Sequence, residues 1–131
     1  MSEGDRIRRL EDREAIRDLL AHYCYRIARG DVDAVLELFT EDCRVVIFDD
    51  VFEGPAGLRA LYASALPVSP KPYIHNHLLH ELEEHSATGS SVFEIRQIRD
   101  GVSETGGGCY DDRFLKQDGE WKFSERRFRL Y

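Results

Sequence analysis

The sequence predicts an α+β fold in which helices gathered in the first half pack on one face of a curved sheet. Three observations carry this. Apolar residues recur with helical period from Ile16 to Ile27, and a second helical pattern follows one glycine later. Three long stretches rich in β-branched and aromatic residues then occupy the second half, joined by short polar breaks and ending in a hairpin. Helices placed together and strands placed together make an α+β arrangement, and a sheet bent around a long helix leaves a cone whose inner wall is built from alternate strand residues.

The first helix rests on Ile16, Leu19, Leu20, Tyr23, Cys24 and Ile27, with Glu14, Arg17, Asp18 and Arg29 on the opposite face. Ile7 and Leu10 fall out of phase, which suggests a separate or looser first piece. Gly30 is placed to take the left-handed conformation that ends a helix, and Asp31 to cap a second one, DVDAVLELF, whose stripe is Val32, Val35, Leu36 and Phe39. Cys43 to Phe48 reads as a strand, Asp49-Asp50 as a turn, and Val51-Phe52-Glu53 as a short return. Gly54-Pro55 opens a third helix, AGLRALYASAL, with apolar Leu58, Leu61, Tyr62 and Leu66. Pro67, Pro70 and Pro72 mark a loop suited to covering an opening. The long strands run from Tyr73 to Glu83, Ser90 to Ile98 and Gly106 to Lys116, and Asp118-Gly119 turns the last of them into a final strand from Glu120 to Tyr131.

Length and composition fit one soluble domain of 131 residues, 42% hydrophobic and 33% charged. The net charge of −7 argues against nucleic acid as a partner, because phosphate binding needs basic surface. The cluster Arg126, Arg127 and Arg129 could make a local anion site, but a solvated strand face is the simpler reading. No apolar run reaches the roughly 20 residues that span a bilayer, and no secretory leader is visible, so a cytoplasmic location without membrane partners is expected. Cys24, Cys43 and Cys109 lack metal or redox spacing. His22, His80 and His85 show no ligand pattern either, and no metal is expected. Trp121 and Phe123 are read as core, with Tyr131 as a terminal anchor in phase with them. If Phe93 and Ile95 face inward, Glu94, Arg96 and Ile98 face outward, and only one of Asp111 and Asp112 can point inside.

The stretches DREAIRDLLAHYCYRIARGDVDAVLELFTEDCRV, FEGPAGLRALY and GGGCYDDRFLKQDGEWKFSERRF, together with the region around His75, resemble the SnoaL-like branch of the nuclear-transport-factor-two-like superfamily. That group includes polyketide cyclases, scytalone dehydratase, a hexachlorocyclohexane dehydrochlorinase, ketosteroid-isomerase-like proteins and small subunits of ring-hydroxylating dioxygenases. The resemblance, running from about Asp12 to the C-terminus, implies a cystatin-like α+β barrel wrapped around the long N-terminal helix, and a homodimer or homotrimer. It also implies acid–base chemistry by a His–Asp pair. The His position falls on His75, with a two-residue shift onto His77 left open, and the Asp position falls on Ala28.

Two functions follow as expectations. One is a cofactor-independent lyase or isomerase acting on a small cyclic or aromatic apolar molecule. In it His75 is the general base, Tyr23 donates to a developing oxyanion, and His77, Cys24, Ile27, Ala28 and Phe93 line the substrate. The other is a non-catalytic binding or assembly module, such as a dioxygenase small-subunit-like protein. Ala28 favours the second, since a carboxylate normally fixes the tautomer of a catalytic imidazole and stabilises its charged form.

Overall fold

The computed structural model describes residues 1–129. Helix α1 runs Glu3–Arg29, α2 Val32–Leu36 and α3 Gly54–Ala65. The strands are β1 Phe39–Ile47, β2 Asp50–Glu53, β3 Lys71–Leu82, β4 Ser86–Arg99, β5 Val102–Gln117 and β6 Glu120–Arg129. Positions 130 and 131, expected to finish the last strand, lie outside the described residues.

No separate first piece exists: α1 is continuous from Glu3. Its start is fixed by a capping box in which the Ser2 hydroxyl accepts from the Asp5 N–H and the Asp5 carboxylate accepts from the Ser2 N–H. Ile7 and Leu10 are simply exposed. Gly30, at φ 72°, supplies the left-handed end. The second helix stops at Leu36, short of the expected Phe39, because Phe39 already pairs with Phe123 and the Leu38 carbonyl accepts from the Phe123 N–H at 2.9 Å.

The six strands lie in the order β2-β1-β6-β5-β4-β3. All neighbours are antiparallel except β1 and β6. The barrel expected from the resemblance is therefore corrected: β2 and β3 are the free edges of an open mixed sheet and do not meet. The four-residue β2 is too short to close it, and the concave side is occupied instead by α1, packed on β3 and β6, and by α3, packed on β1 and β2. One-residue register shifts interrupt β3 between Ile74 and Asn76 and the β5–β6 ladder at Arg113/Phe114. Such bulges bend a strand and reverse which residues face inward beyond them.

The core joins Ile16, Leu19 and Leu20 of α1 to Phe114, Trp121 and Phe123 of the sheet. At its far end Asp12, 4% exposed, accepts from the Trp121 indole N–H at 2.9 Å and from the Lys116 ammonium at 3.1 Å. This clamp ties the first third of α1 to the β5–β6 hairpin. Among the described residues no helix is long and apolar enough to cross a membrane. Replacing Asp12 by Ala leaves the indole donor without its acceptor and is expected to destabilise the fold by about 2 kcal/mol. Urea unfolding followed by the fluorescence of the single tryptophan measures this directly.

Candidate functional site: a tyrosine-lined cavity over a buried ion pair

A cavity of about 140 Å³ opens between the C-terminal half of α1, helix α3 and the sheet. Its walls are apolar: Ile27 from α1, Leu61 from α3, Val45 and Ile47 from β1, and Ile95 from β4. Leu66, Pro70 and Pro72 border it, where the sequence suggested a covering segment. The polar side chains among the residues that line it are three phenols, Tyr23, Tyr62 and Tyr110. The Tyr23 and Tyr62 hydroxyls lie 3.2 Å apart, and the Tyr110 ring meets that of Tyr23 edge-on at 6.4 Å. Burial, reinforced by the neighbouring phenol, pushes the Tyr23 and Tyr110 hydroxyls well above their ordinary range. Burial likewise raises Tyr62. All three therefore stay protonated and act as hydrogen-bond donors.

Beneath the phenols lies an ion pair between Arg126, which the sequence suggested was solvated, and Asp112, whose direction the sequence left open. Arg126 is fully buried, and its Nε and Nη2 donate to the two Asp112 carboxylate oxygens at 2.8 and 3.1 Å. The guanidinium carbon sits 3.8 Å from the Tyr110 ring centre and 4.4 Å from those of Tyr23 and Phe123, so its charge is held by ring faces as well as by the carboxylate. Burial opposes that charge, but Asp112 and the tyrosines outweigh it and raise the Arg126 pKa. Burial also raises Asp112, against the pull of Arg126.

Residues singled out from the sequence divide between two places. Tyr23 and Ile27 line the cavity. Phe93, fully buried, supports it from behind by stacking on Tyr110 at 4.2 Å. Cys24, Ala28, His75 and His77 instead border a separate groove between α1 and β3, which shares only Pro72 with the cavity. For the histidines the bulge after Ile74 is the reason. It leaves His75 half-exposed, with Nε2 3.1 Å from the Glu94 carboxylate, and turns His77 inward until its ring meets Phe114 edge-on at 6.1 Å. Gly89 makes room for that imidazole, since a Cβ there would lie 2.9 Å from His77 Nε2. Nε2 itself is buried without a hydrogen-bond partner among the described residues. Ala28 presents its carbonyl, which accepts from Lys71 Nζ at 3.0 Å. Burial raises the half-buried Cys24 thiol, so it is not activated for attack.

Tyr62, Tyr110, Asp112 and Arg126 were missed as site residues. Tyr62 carried a signal, being a polar-tipped residue in an otherwise apolar helical stripe. Arg126 carried none, because its inward orientation depends on the bulge in the β5–β6 ladder. Among the described residues no group of three or more His, Cys, Asp or Glu is arranged to hold a metal. On the opposite sheet face Ser90 donates to Asp111 at 2.7 Å and contacts His80 at 2.8 Å. That serine's proton rests on the carboxylate, whereas nucleophilic activation would need it on the imidazole.

Burial, aided by the charges of Arg126 and Arg13, lowers the His77 pKa to about 4 from 6.5. Between those values the unfolded chain takes up a proton that the folded chain refuses, so stability falls as pH drops from about 6.5 towards about 4. The His77 ring resonances are expected to titrate near pH 4, and His77→Gln should flatten this part of the stability–pH curve. A His77 midpoint above pH 6 would contradict the buried placement.

Comparisons with known proteins agree with this architecture. The family model for the SnoaL-like domain matches residues 8–127. A protein of unknown function from Mycobacterium tuberculosis is 30% identical, with a TM-score of 0.87 over 98% of this chain and 76% of that one. A Novosphingobium aromaticivorans protein named as an aromatic ring hydroxylase is 26% identical, with a TM-score of 0.85 over 92% and 90%. Another from that organism, named as a scytalone dehydratase, shares the fold at 22% identity, with a TM-score of 0.87 over 95% and 87%. No curated protein sequence matches the chain. With the model covering nearly its whole length, the chain belongs to the SnoaL-like domain family.

Proposed function

We propose that the chain binds a small, largely apolar cyclic molecule in the tyrosine-lined cavity, with the ligand's oxygen held by the Tyr23–Tyr62 hydroxyl pair. The observation that carries this reading is an apolar pocket of about 140 Å³ whose polar lining side chains are three protonated phenols. A dry apolar cavity of roughly 150 Å³ accepts one benzene ring, so the size suits a single ring. The hydroxyls supply the few fixed polar contacts that orient a ligand in such a site. The names carried by structurally similar proteins, an aromatic ring hydroxylase and a scytalone dehydratase, fit a ligand of this kind.

Catalysis of an elimination or isomerisation is the second reading. One observation favours it: His77 is an inward, neutral imidazole whose buried Nε2 has no hydrogen-bond partner among the described residues, the form a general base must take. His75 is the weaker candidate for that role, since its Nε2 faces Glu94 at the sheet surface. Loss of turnover in His77→Gln but not in His75→Gln, with any cyclic ketone or alkene found to react, is the result this reading requires.

The binding reading is tested by calorimetry with cyclohexanone and cyclohexane-sized hydrocarbons. The ketone should bind more tightly than a hydrocarbon of equal size. Tyr62→Phe should weaken the ketone alone by about fivefold, the worth of one neutral hydrogen bond of ~1 kcal/mol. Equal affinity for both, unchanged by Tyr62→Phe, would refute the proposed seating.

A further inference from the structure

The groove between α1 and β3, an open channel of about 770 Å³, has a chemistry of its own. Its helical wall is a single stripe in steps of three and four residues, with Arg13 and Arg17 followed by Leu20, Ala21 and Cys24. The two walls run antiparallel, because Arg9 donates to the Leu82 carbonyl near one end and Lys71 to the Ala28 carbonyl at the other. His77 therefore stands on the arginine side, while Ile74 and Pro72 stand opposite the apolar part of the stripe. No Asp or Glu lines the groove, although acidic residues outnumber basic ones 25 to 18 in the chain.

The positive charge in the groove is unevenly committed. Lys71 Nζ already donates to the Ala28 carbonyl at 3.0 Å and to the Ser69 hydroxyl at 2.9 Å. Arg13 has no ion-pair partner among the described residues. Arg17 reaches Glu14 only at 3.9 Å, with both side chains about three-quarters exposed at 74% and 76%, and such a pair contributes little in water. His75 is turned to Glu94, whereas His77 Nε2 is buried without a hydrogen-bond partner among the described residues. We infer that the groove is a second binding site, for an amphiphilic carboxylate whose head lies between Arg13 and Arg17 and whose alkyl chain runs along Leu20, Ala21 and Cys24 towards Pro72. From Arg17 to Ala28 the helix advances roughly 16 Å, long enough for a medium-length chain. Guanidinium groups match the planar carboxylate, and the His77 imidazole, carrying its proton on Nε2, supplies a further neutral donor. The chain gains by leaving water for the apolar half of the groove.

This site is independent of the tyrosine cavity, with which it shares only Pro72, and its test keeps the two apart. The probes are octanoate and 1-octanol, which share a chain and differ in the charged head, followed by NMR of the intact labelled protein at neutral pH and low salt. Octanoate should shift the amides of Ala21, Cys24 and Ile74 and the ring of His77, and bind about fivefold more tightly than octanol, the scale expected of exposed charges. High salt should erase that preference. In R13Q/R17Q, where both altered side chains are exposed, the two probes should bind equally. Equal affinities in the unaltered protein, or a preference that survives in R13Q/R17Q, would overturn the anionic head. Octanoate shifts centred on Ile47 and Leu61 would place the ligand in the cavity, and no binding of octanoate at all would remove the site. Cyclohexanone should bind alongside octanoate without competition, and its failure to bind while octanoate still does would remove the cavity reading alone.

Discussion

The bidentate contact between Arg126 and Asp112 is the constraint on which the interior depends. A guanidinium taken out of water is tolerated only where a carboxylate and further polarisable groups replace its hydration. Both side chains here are fully buried. The carboxylate comes from β5, so β5 and β6 must be in the register that sets Asp112 opposite Arg126. The guanidinium also lies over the rings of Tyr23, Tyr110 and Phe123, which ties α1 to β5 and β6 beside the cavity. Removing either charge alone would strand the other in the core, a change of the order of 3–5 kcal/mol. The pair therefore organises the site as much as it stabilises the chain.

Its position also explains what could be read from the sequence. Element order, the three helices and the long strands follow from periodicity and turn chemistry, because an amphipathic helix and a hairpin are local objects. The turn at Asp118-Gly119 was visible. An equivalent one at Asp100-Gly101, with φ of 52° and 77°, joins β4 to β5 in the same manner and shows that the dipeptide signal was available twice. The inward faces were not legible beyond the bulges. Counting in twos from Trp121 and Phe123 points Glu125 into the core and Arg126 out. One extra residue in β6 reverses this, so that Arg113 faces Glu125 and Asp112 faces Arg126 across the ladder. The same arithmetic fails in β3, where counting by two placed His75 and His77 on one face and the bulge between Ile74 and Asn76 separates them. A bulge has no residue signature strong enough to find it here, because neither site holds a glycine.

The closed barrel failed for a different reason. Closure is a property of the two edge strands, and neither β2 nor β3 carries a pattern that says whether it pairs with the other. Four residues of β2 offer too few backbone groups to join a twelve-residue β3, and the helices take up the concave side instead. The cavity is a consequence of that arrangement. It sits where α1, α3 and the sheet converge without quite meeting, next to the segment from Leu66 to Pro72 that bridges α3 and β3.

Helix α1 thus presents two faces with different chemistry. Tyr23 and Ile27 meet the cavity, while Cys24 and Ala28, one position further round, meet the groove that His75 and His77 border. Position 28 is consequently not a vacancy in the cavity wall: its backbone carbonyl anchors Lys71 at the start of β3, and a carboxylate there would belong to the groove. Donors and imidazoles are separated by the width of the α1–β3 contact. On the cavity side, desolvation keeps three phenols neutral, and the guanidinium beneath them is paired with Asp112. Such a wall can stabilise negative charge on a ligand oxygen, which is half of what an enolate-forming reaction needs. The other half, a base within reach of a ligand proton, would have to come from His77 across that contact, and this makes recognition of an oxygen-bearing ring the better-supported property of the site.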